Sequence, residues 1–277
     1  MTLKQTVSLN LNFVHSGAAE PAAFVERGEG PTLLMLHGFM GSAACWLPLI
    51  DQLQSQIHCV ALDLMGFGDS AKPRMQYDIA KEVEFVRRFV EARNLGQCYL
   101  LGHSFGGWVA AAYALAYPEQ VAGLILAAPA GIRDDSFCGR YDHLRPILWD
   151  TPVVDWVLRG ITPLATLAGQ QETLKQIVWM RRELMAQPAA RSFLMDRLRP
   201  EDAIDTVEKH IHQLQTPTLV ITGDRDETIP LWHSQTYAQA IPHAKLVILP
   251  NADHALPQNY APQLAEQILP FLMSSKP

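Results

Sequence analysis

Six short runs of uninterrupted apolar residues set what this chain can fold into: TLLMLHG, HCVALD, CYLLGH, GLILAAP, TLVITGD and KLVILP. A strand with one face in water alternates polar and apolar side chains. A run that is apolar at every position needs cover on both faces, the situation inside a parallel sheet. Helical stretches separate several of these runs. In YDIAKEVEFVRRFVEARN, Ile79, Val83, Val86 and Val90 fall on one side and the charges on the other. Residues Tyr260 to Met273 read as a closing helix in spite of Pro270. Ahead of all this, TVSLNLNFVH alternates as a half-solvated antiparallel strand does, with AAFVERG as its partner. The fold class that follows is α/β, with a mostly parallel, doubly wound sheet.

The rhythm stops between about Ile132 and His212. Strand-like runs are missing there, and helical patterns interrupted by Pro152, Pro163, Pro188 and Pro200 take their place. The expected organisation is a core of residues 1–131 and 213–277 with an all-helical cap, 132–212, inserted between two strands. Extra helices lying on the sheet edge are the alternative. Within the segment, Leu148, Trp149, Trp156, Val157, Leu158, Trp179 and Met180 are expected either to line an apolar pocket or to form the segment's own core. Arg181 and Arg182 read as a solvated helix face, or as a contact for a substrate carboxylate.

One serine stands out against this background. Gly102, Ser104 and Gly106 form G-x-S-x-G between the apolar run CYLLG and the small-residue helix start GGWVAAAYALAY. A sharp strand-to-helix turn strains its central residue, and side chains two positions before and after would collide. Glycine at both sites lets Ser104 stand exposed above the sheet as a nucleophile. A serine hydroxyl is a weak nucleophile at neutral pH and needs a base, which in turn needs an orienting acid. TLVITGDRDETIP offers Asp224 and Asp226, and KLVILPNADHALP offers His254. Each lies just past the carboxyl end of a predicted strand, on the rim that carries Ser104. Of the ten histidines, His58 and His243 sit at the wrong rim, and His15, His210 and His212 lie outside the sheet's ligand edge. His37 precedes a glycine in a turn, and His103, adjacent to the serine, points away from it. The N–H groups of Phe39, after the His37–Gly38 turn, and of Phe105, after the serine, are placed to hold an oxyanion.

These pieces occur together and in order: HGFMGS at 37–42, DLMGFGDS at 63–70, GHSFGG at 102–107, GDRDETIP at 223–230 and DH at 253–254. From about residue 5 to residue 273 the chain resembles the α/β-hydrolase superfamily. The resemblance implies Ser104 as nucleophile, His254 as general base and then acid, and Asp226 rather than Asp224 as the orienting carboxylate. It gives Asp63 a local role in the D-x-x-G-x-G-x-S turn. Asp253 departs from the pattern, since glycine commonly precedes that histidine. Epoxide hydrolases and haloalkane dehalogenases are similar around HGF but carry aspartate where this chain has Ser104. Menaquinone-pathway lyases carry arginine where it has Trp108.

The expected activity is hydrolysis of a small to medium apolar carboxylic ester or lactone. Carbon–carbon bond hydrolysis or lysis by the same three residues is the alternative, and a hydrolase-fold binding protein with little turnover is another. No cofactor and no metal are expected. A net charge of −6 disfavours nucleic acid and anionic membrane as partners. The start, MTLKQTVSLNLNF, lacks a secretory pattern, and no apolar run approaches a membrane span. Cys45, Cys59, Cys98 and Cys138 show no metal-ligand or paired spacing and read as reduced thiols in a cytoplasmic protein.

Overall fold

The computed structural model describes residues 4–14, 18–137, 142–196 and 205–274, so His15 and Cys138 lie outside the described residues. All six apolar runs are strands. With the two early strands they form one eight-stranded sheet: β1 (Gln5–Leu9), β2 (Glu20–Arg27), β3 (Thr32–Leu36), β4 (His58–Leu62), β5 (Cys98–His103), β6 (Val121–Ala127), β7 (Thr218–Gly223) and β8 (Lys245–Leu249). Their spatial order is β1-β2-β4-β3-β5-β6-β7-β8. The β1–β2 and β2–β4 pairs are antiparallel and all others are parallel. The alternating pattern of the early segment thus belongs to the antiparallel edge, as its half-solvated rhythm requires.

The described helices are α1 (Leu47–Leu53), α2 (Ile79–Ala92), α3 (Phe105–Ala116), α4 (Pro152–Gly160), α5 (Thr162–Leu167), α6 (Gln171–Met185), α7 (Pro188–Asp196), α8 (Leu231–Ala240), α9 (Leu256–Asn259) and α10 (Ala261–Ser274). Successive residues of one strand feed opposite layers. Leu34 and Leu36 of β3 pack with the buried side chains of α2, α3 and α8. Leu33 and Met35 pack with those of α1, α9 and α10. Helices on both faces are what continuous apolar strands demand. Glu82 of α2 is fully buried and accepts the Met65 N–H at 3.2 Å. Burial raises its pKa well above the usual carboxylate value.

Between β6 and β7 the described residues hold helices and no strand. Helix α7 fastens this stretch to the core: the Ser192 hydroxyl accepts the Tyr77 N–H at 3.0 Å, and Phe193 packs on Phe105 with ring centroids 4.9 Å apart. The Trp108 indole N–H donates to the Asp205 carbonyl at 3.0 Å. Two expectations need correction here. Trp149, Trp156, Val157 and Trp179 do not form a local core, being 57, 65, 55 and 63% exposed. Of the apolar residues singled out, Leu148 is buried, while Leu158 and Met180 are half-buried. Apolar spacing along a helix marks a face but not what covers it. Arg181 is not on a solvated face; it is 5% exposed. Its guanidinium forks onto Asp155 at 2.8 and 3.0 Å and donates to the carbonyls of Ile147, Trp149 and Thr151. Arg182 is exposed.

Candidate active site

Strand β5 delivers the chain into α3 through a single strained residue. Ser104 has φ +53° and ψ −116°, a backbone conformation that L side chains rarely adopt. Its N–H donates to the Ala127 carbonyl at 2.9 Å, and its carbonyl accepts from Ala130 N–H at 3.0 Å, so β6 holds the turn in place. The flanking glycines are sterically required. A Cβ on Gly102 would lie 2.7 Å from Gly107 Cα, and one on Gly106 would lie 2.5 Å from the His37 carbonyl oxygen.

The loops after β7 and β8 bring the base and acid to this serine. Ser104 Oγ donates to His254 Nε2 at 3.0 Å, and His254 Nδ1–H donates to Asp226 Oδ2 at 2.7 Å. The Asp226 side chain is fully buried, and its second oxygen accepts the N–H groups of Thr228 and Ile229, both at 2.9 Å. Those bonds fix the carboxylate as an acceptor and keep the imidazole tautomer with its Nε2 lone pair toward the serine. Asp224 lies exposed in the same loop, outside this chain of bonds. Asp253 is also exposed and accepts the Ala255 N–H at 2.9 Å.

The loop after β3 reaches the same point. A Cβ on Gly38 would come within 3.2 Å of Ser104 Cβ, so the backbone of this loop passes directly beside the serine. Among the described residues, neither Phe39 nor Phe105 N–H donates a hydrogen bond. Two supports hold the loop. His37 Nε2 accepts the Leu64 N–H at 2.9 Å while its Nδ1–H donates to the Gly38 carbonyl at 2.7 Å. Asp63 does more than close its own turn: it is fully buried and accepts Ala43 N–H at 2.5 Å, Asp69 N–H at 2.7 Å and Lys4 Nζ at 2.6 Å. Phe105, the residue after Ser104, packs against the rings of Phe39, Trp108 and Phe193. Phe193 carried no signal in the sequence, because only the packing of α7 on α3 brings it here.

The Ser104 hydroxyl bonds His254 rather than His103, and His103 has a task that its position did not announce. Its Nε2–H donates to the His254 carbonyl at 2.8 Å, and the two rings lie 4.8 Å apart. Burial, with the neighbouring His254 adding to it, pushes its pKa down to about 3 from an ordinary 6.5. A histidine whose folded pKa is depressed stabilises the fold above its unfolded value and loses that contribution as pH falls below it. At pH 5 the loss through this one group is about 2 kcal/mol. Urea unfolding should therefore show a larger drop in stability from pH 7.5 to pH 5 for the wild type than for His103→Gln, by about that amount. Glu82 contributes with the opposite sign, but it does so equally in both proteins. Equal drops would refute the buried neutral imidazole.

Residues 33–267 match the model of the alpha/beta hydrolase family. The chain belongs to that family. It is 25% identical to a monoacylglycerol lipase, ABHD6, of Mus musculus over 89% of this chain and 77% of that protein. Among solved structures it is similar to a membrane phospholipase A described as a bacterial virulence factor. The TM-score is 0.74 and the identity 26%, over 98% of this chain and 86% of that one. An esterase from Thermogutta terrifontis shares the fold with TM-score 0.74 at 22% identity, over 98% of this chain and 99% of that one. The fold and site define an enzyme of the α/β-hydrolase class. No helix among the described residues is long and apolar enough to cross a membrane.

Proposed function

We propose that this enzyme hydrolyses small to medium, largely apolar carboxylic esters or lactones through an acyl-enzyme. Ser104 Oγ attacks the ester carbonyl as its proton passes to His254 Nε2. The tetrahedral oxyanion is held by the N–H groups of Phe39 and Phe105 at the positive end of α3. The intermediate collapses with loss of the alkoxide, which takes the proton from His254. Water, deprotonated by His254, then attacks the acyl carbon and releases the acid and Ser104. Asp226 keeps the imidazole in the required tautomer and stabilises its cation. No step calls for a metal or an organic cofactor.

The observation that carries this reading is the unbroken chain from the strained Ser104 through His254 to a buried Asp226, with bonds of 3.0 and 2.7 Å. The aromatic cluster that Phe105, the residue after the serine, forms with Phe39 and Phe193 suits an apolar acyl group. The names of two relatives, a monoacylglycerol lipase and a phospholipase A, support an acyl ester as the bond that breaks. Residues 132–212 would act as the cap over this pocket, with α7 its floor. A cytoplasmic location fits the free thiols of Cys45, Cys59 and Cys98.

The test is hydrolysis of p-nitrophenyl esters of increasing acyl length. The expected result is turnover of every short ester, with kcat/KM rising with chain length until the aromatic pocket is filled. Turnover of none of them, with cleavage of a vinylogous diketone instead, would move the assignment to carbon–carbon hydrolysis. Inertness toward both classes would leave a binding protein.

A further inference from the structure

Helices α4 and α5 bury no side chain among the described residues. The layer they form with the adjoining α6 is nevertheless strongly apolar on the outside. Trp149, Trp156, Val157, Leu164, Leu167 and Trp179 are 57, 65, 55, 66, 86 and 63% exposed. Trp156 and Val157 follow Val153 at three and four positions along α4, so they share a face. Leu164 and Leu167 stand three apart on α5. Apolar residues scattered singly over a surface are ordinary, but two indoles and two leucines exposed along α4, α5 and α6, with Trp149 just ahead of α4, are not.

The threonine hydroxyls and two of the acidic groups of this layer are bonded from within. Thr162 Oγ1 donates to the Leu158 carbonyl at 3.2 Å and Thr166 Oγ1 to the Thr162 carbonyl at 2.9 Å. Asp155 is paired with Arg181 at 2.8 Å, and Glu172 with Lys175 at 2.7 Å. Residues 149–185 hold four acidic and four basic side chains, in a chain whose net charge is −6. The layer is thus neutral, while the rest of the molecule is repelled by an anionic surface. Arg159 and Arg182 stand exposed, with long stems that can lie along apolar surface while the guanidinium meets a phosphate.

We infer that this layer docks on a zwitterionic phospholipid bilayer. The indoles lie at the headgroup level, Leu164 and Leu167 enter the acyl boundary, and Arg159 and Arg182 meet lipid phosphates. Neutral charge, internally bonded hydroxyls and flanking arginines complement such a surface. They do not complement an anionic bilayer, and a second copy of this net-negative chain would be repelled.

The experiment is flotation of the intact chain with phosphatidylcholine vesicles, beside a variant combining Trp156→Ser, Leu164→Ser and Leu167→Ser. The wild type should float and its indole emission should shift to shorter wavelength. The variant's partition coefficient should be lower by about 1,000-fold, given roughly tenfold for each of the three large apolar anchors removed. In vesicle-free buffer, hydrolysis of p-nitrophenyl acetate should be the same for both, which also shows that the variant folds. If the triple variant does not fold, Leu167→Ser alone replaces it, with a loss of about tenfold. The inference is overturned if the wild type stays unbound at every lipid concentration, or if wild type and variant float equally. It is also overturned if only phosphatidylglycerol vesicles bind, or if the wild type sediments as a dimer that the substitutions dissociate without any vesicle binding. Failure to hydrolyse esters in buffer would count against the proposed chemistry alone, because flotation does not depend on it.

Discussion

Ser104→Ala is expected to lower kcat on a short p-nitrophenyl ester by about 10⁵- to 10⁶-fold while leaving the folded structure intact. Removing the hydroxyl removes the nucleophile itself, so His254 has nothing to activate and Asp226 nothing to orient. Substrate binding should change little, because the rings of Phe39, Phe105 and Phe193 remain. The loss therefore belongs in kcat, with KM close to that of the wild type. The backbone adds a second, separable expectation. Alanine keeps a Cβ at φ +53°, and so keeps the strain that Ser104 carries. Ser104→Gly releases it and should be more stable than Ser104→Ala by about 1–3 kcal/mol, though equally inactive. Chemical unfolding of the two variants side by side measures the difference. Equal stabilities would mean that the elbow stores no strain.

Gly106→Ala should do the most damage to folding for a single added methyl group. The new Cβ would lie 2.5 Å from the His37 carbonyl oxygen and would also meet the Leu36 carbonyl, at the point where α3 crosses the end of β3. Both neighbours are backbone atoms at the end of β3 and just past it, and cannot rotate aside. Either α3 moves outward or β3 does, and each movement breaks the packing of Leu36, Phe105 and Val109 in one core layer. The expected cost is about 4 kcal/mol or more, in the range reserved for severe core disruption. Gly96→Ala is the control. It has a positive φ of +63° but nothing within 4 Å of its added Cβ, so its cost should stay near 1 kcal/mol. Urea midpoints for the two variants decide the matter, and comparable midpoints would contradict the close approach of α3 to the sheet.

Much of this arrangement could be read from the chain because it depends on local rules. Continuous apolar runs can satisfy both of their faces only inside a covered sheet, and all six runs are strands of one. The elbow was legible because two glycines at fixed spacing answer a steric demand around one residue. The nearness of Ser104, His254 and Asp226 followed from the topology, since parallel strands place all their carboxyl ends on one rim. What stayed hidden depends on contacts between distant segments. Nothing near Arg181 in the sequence announces the three carbonyls that surround it, nor does Phe193 reveal its stack on Phe105. The tryptophans of α4 and α6 were misjudged for the same reason. Their apolarity was plain, but a helix does not state which neighbour it lacks. His103 is adjacent to Ser104 in the sequence, yet its bond to the His254 carbonyl depends on a loop 151 residues away.

The most direct test of the acyl-enzyme account is mass analysis of the enzyme, acid-quenched during turnover of p-nitrophenyl butyrate. Butyryl mass on the peptide carrying Ser104, absent from Ser104→Ala, is the predicted result. Turnover at the wild-type rate with no acyl group on the protein, or with the group on another residue, would contradict it.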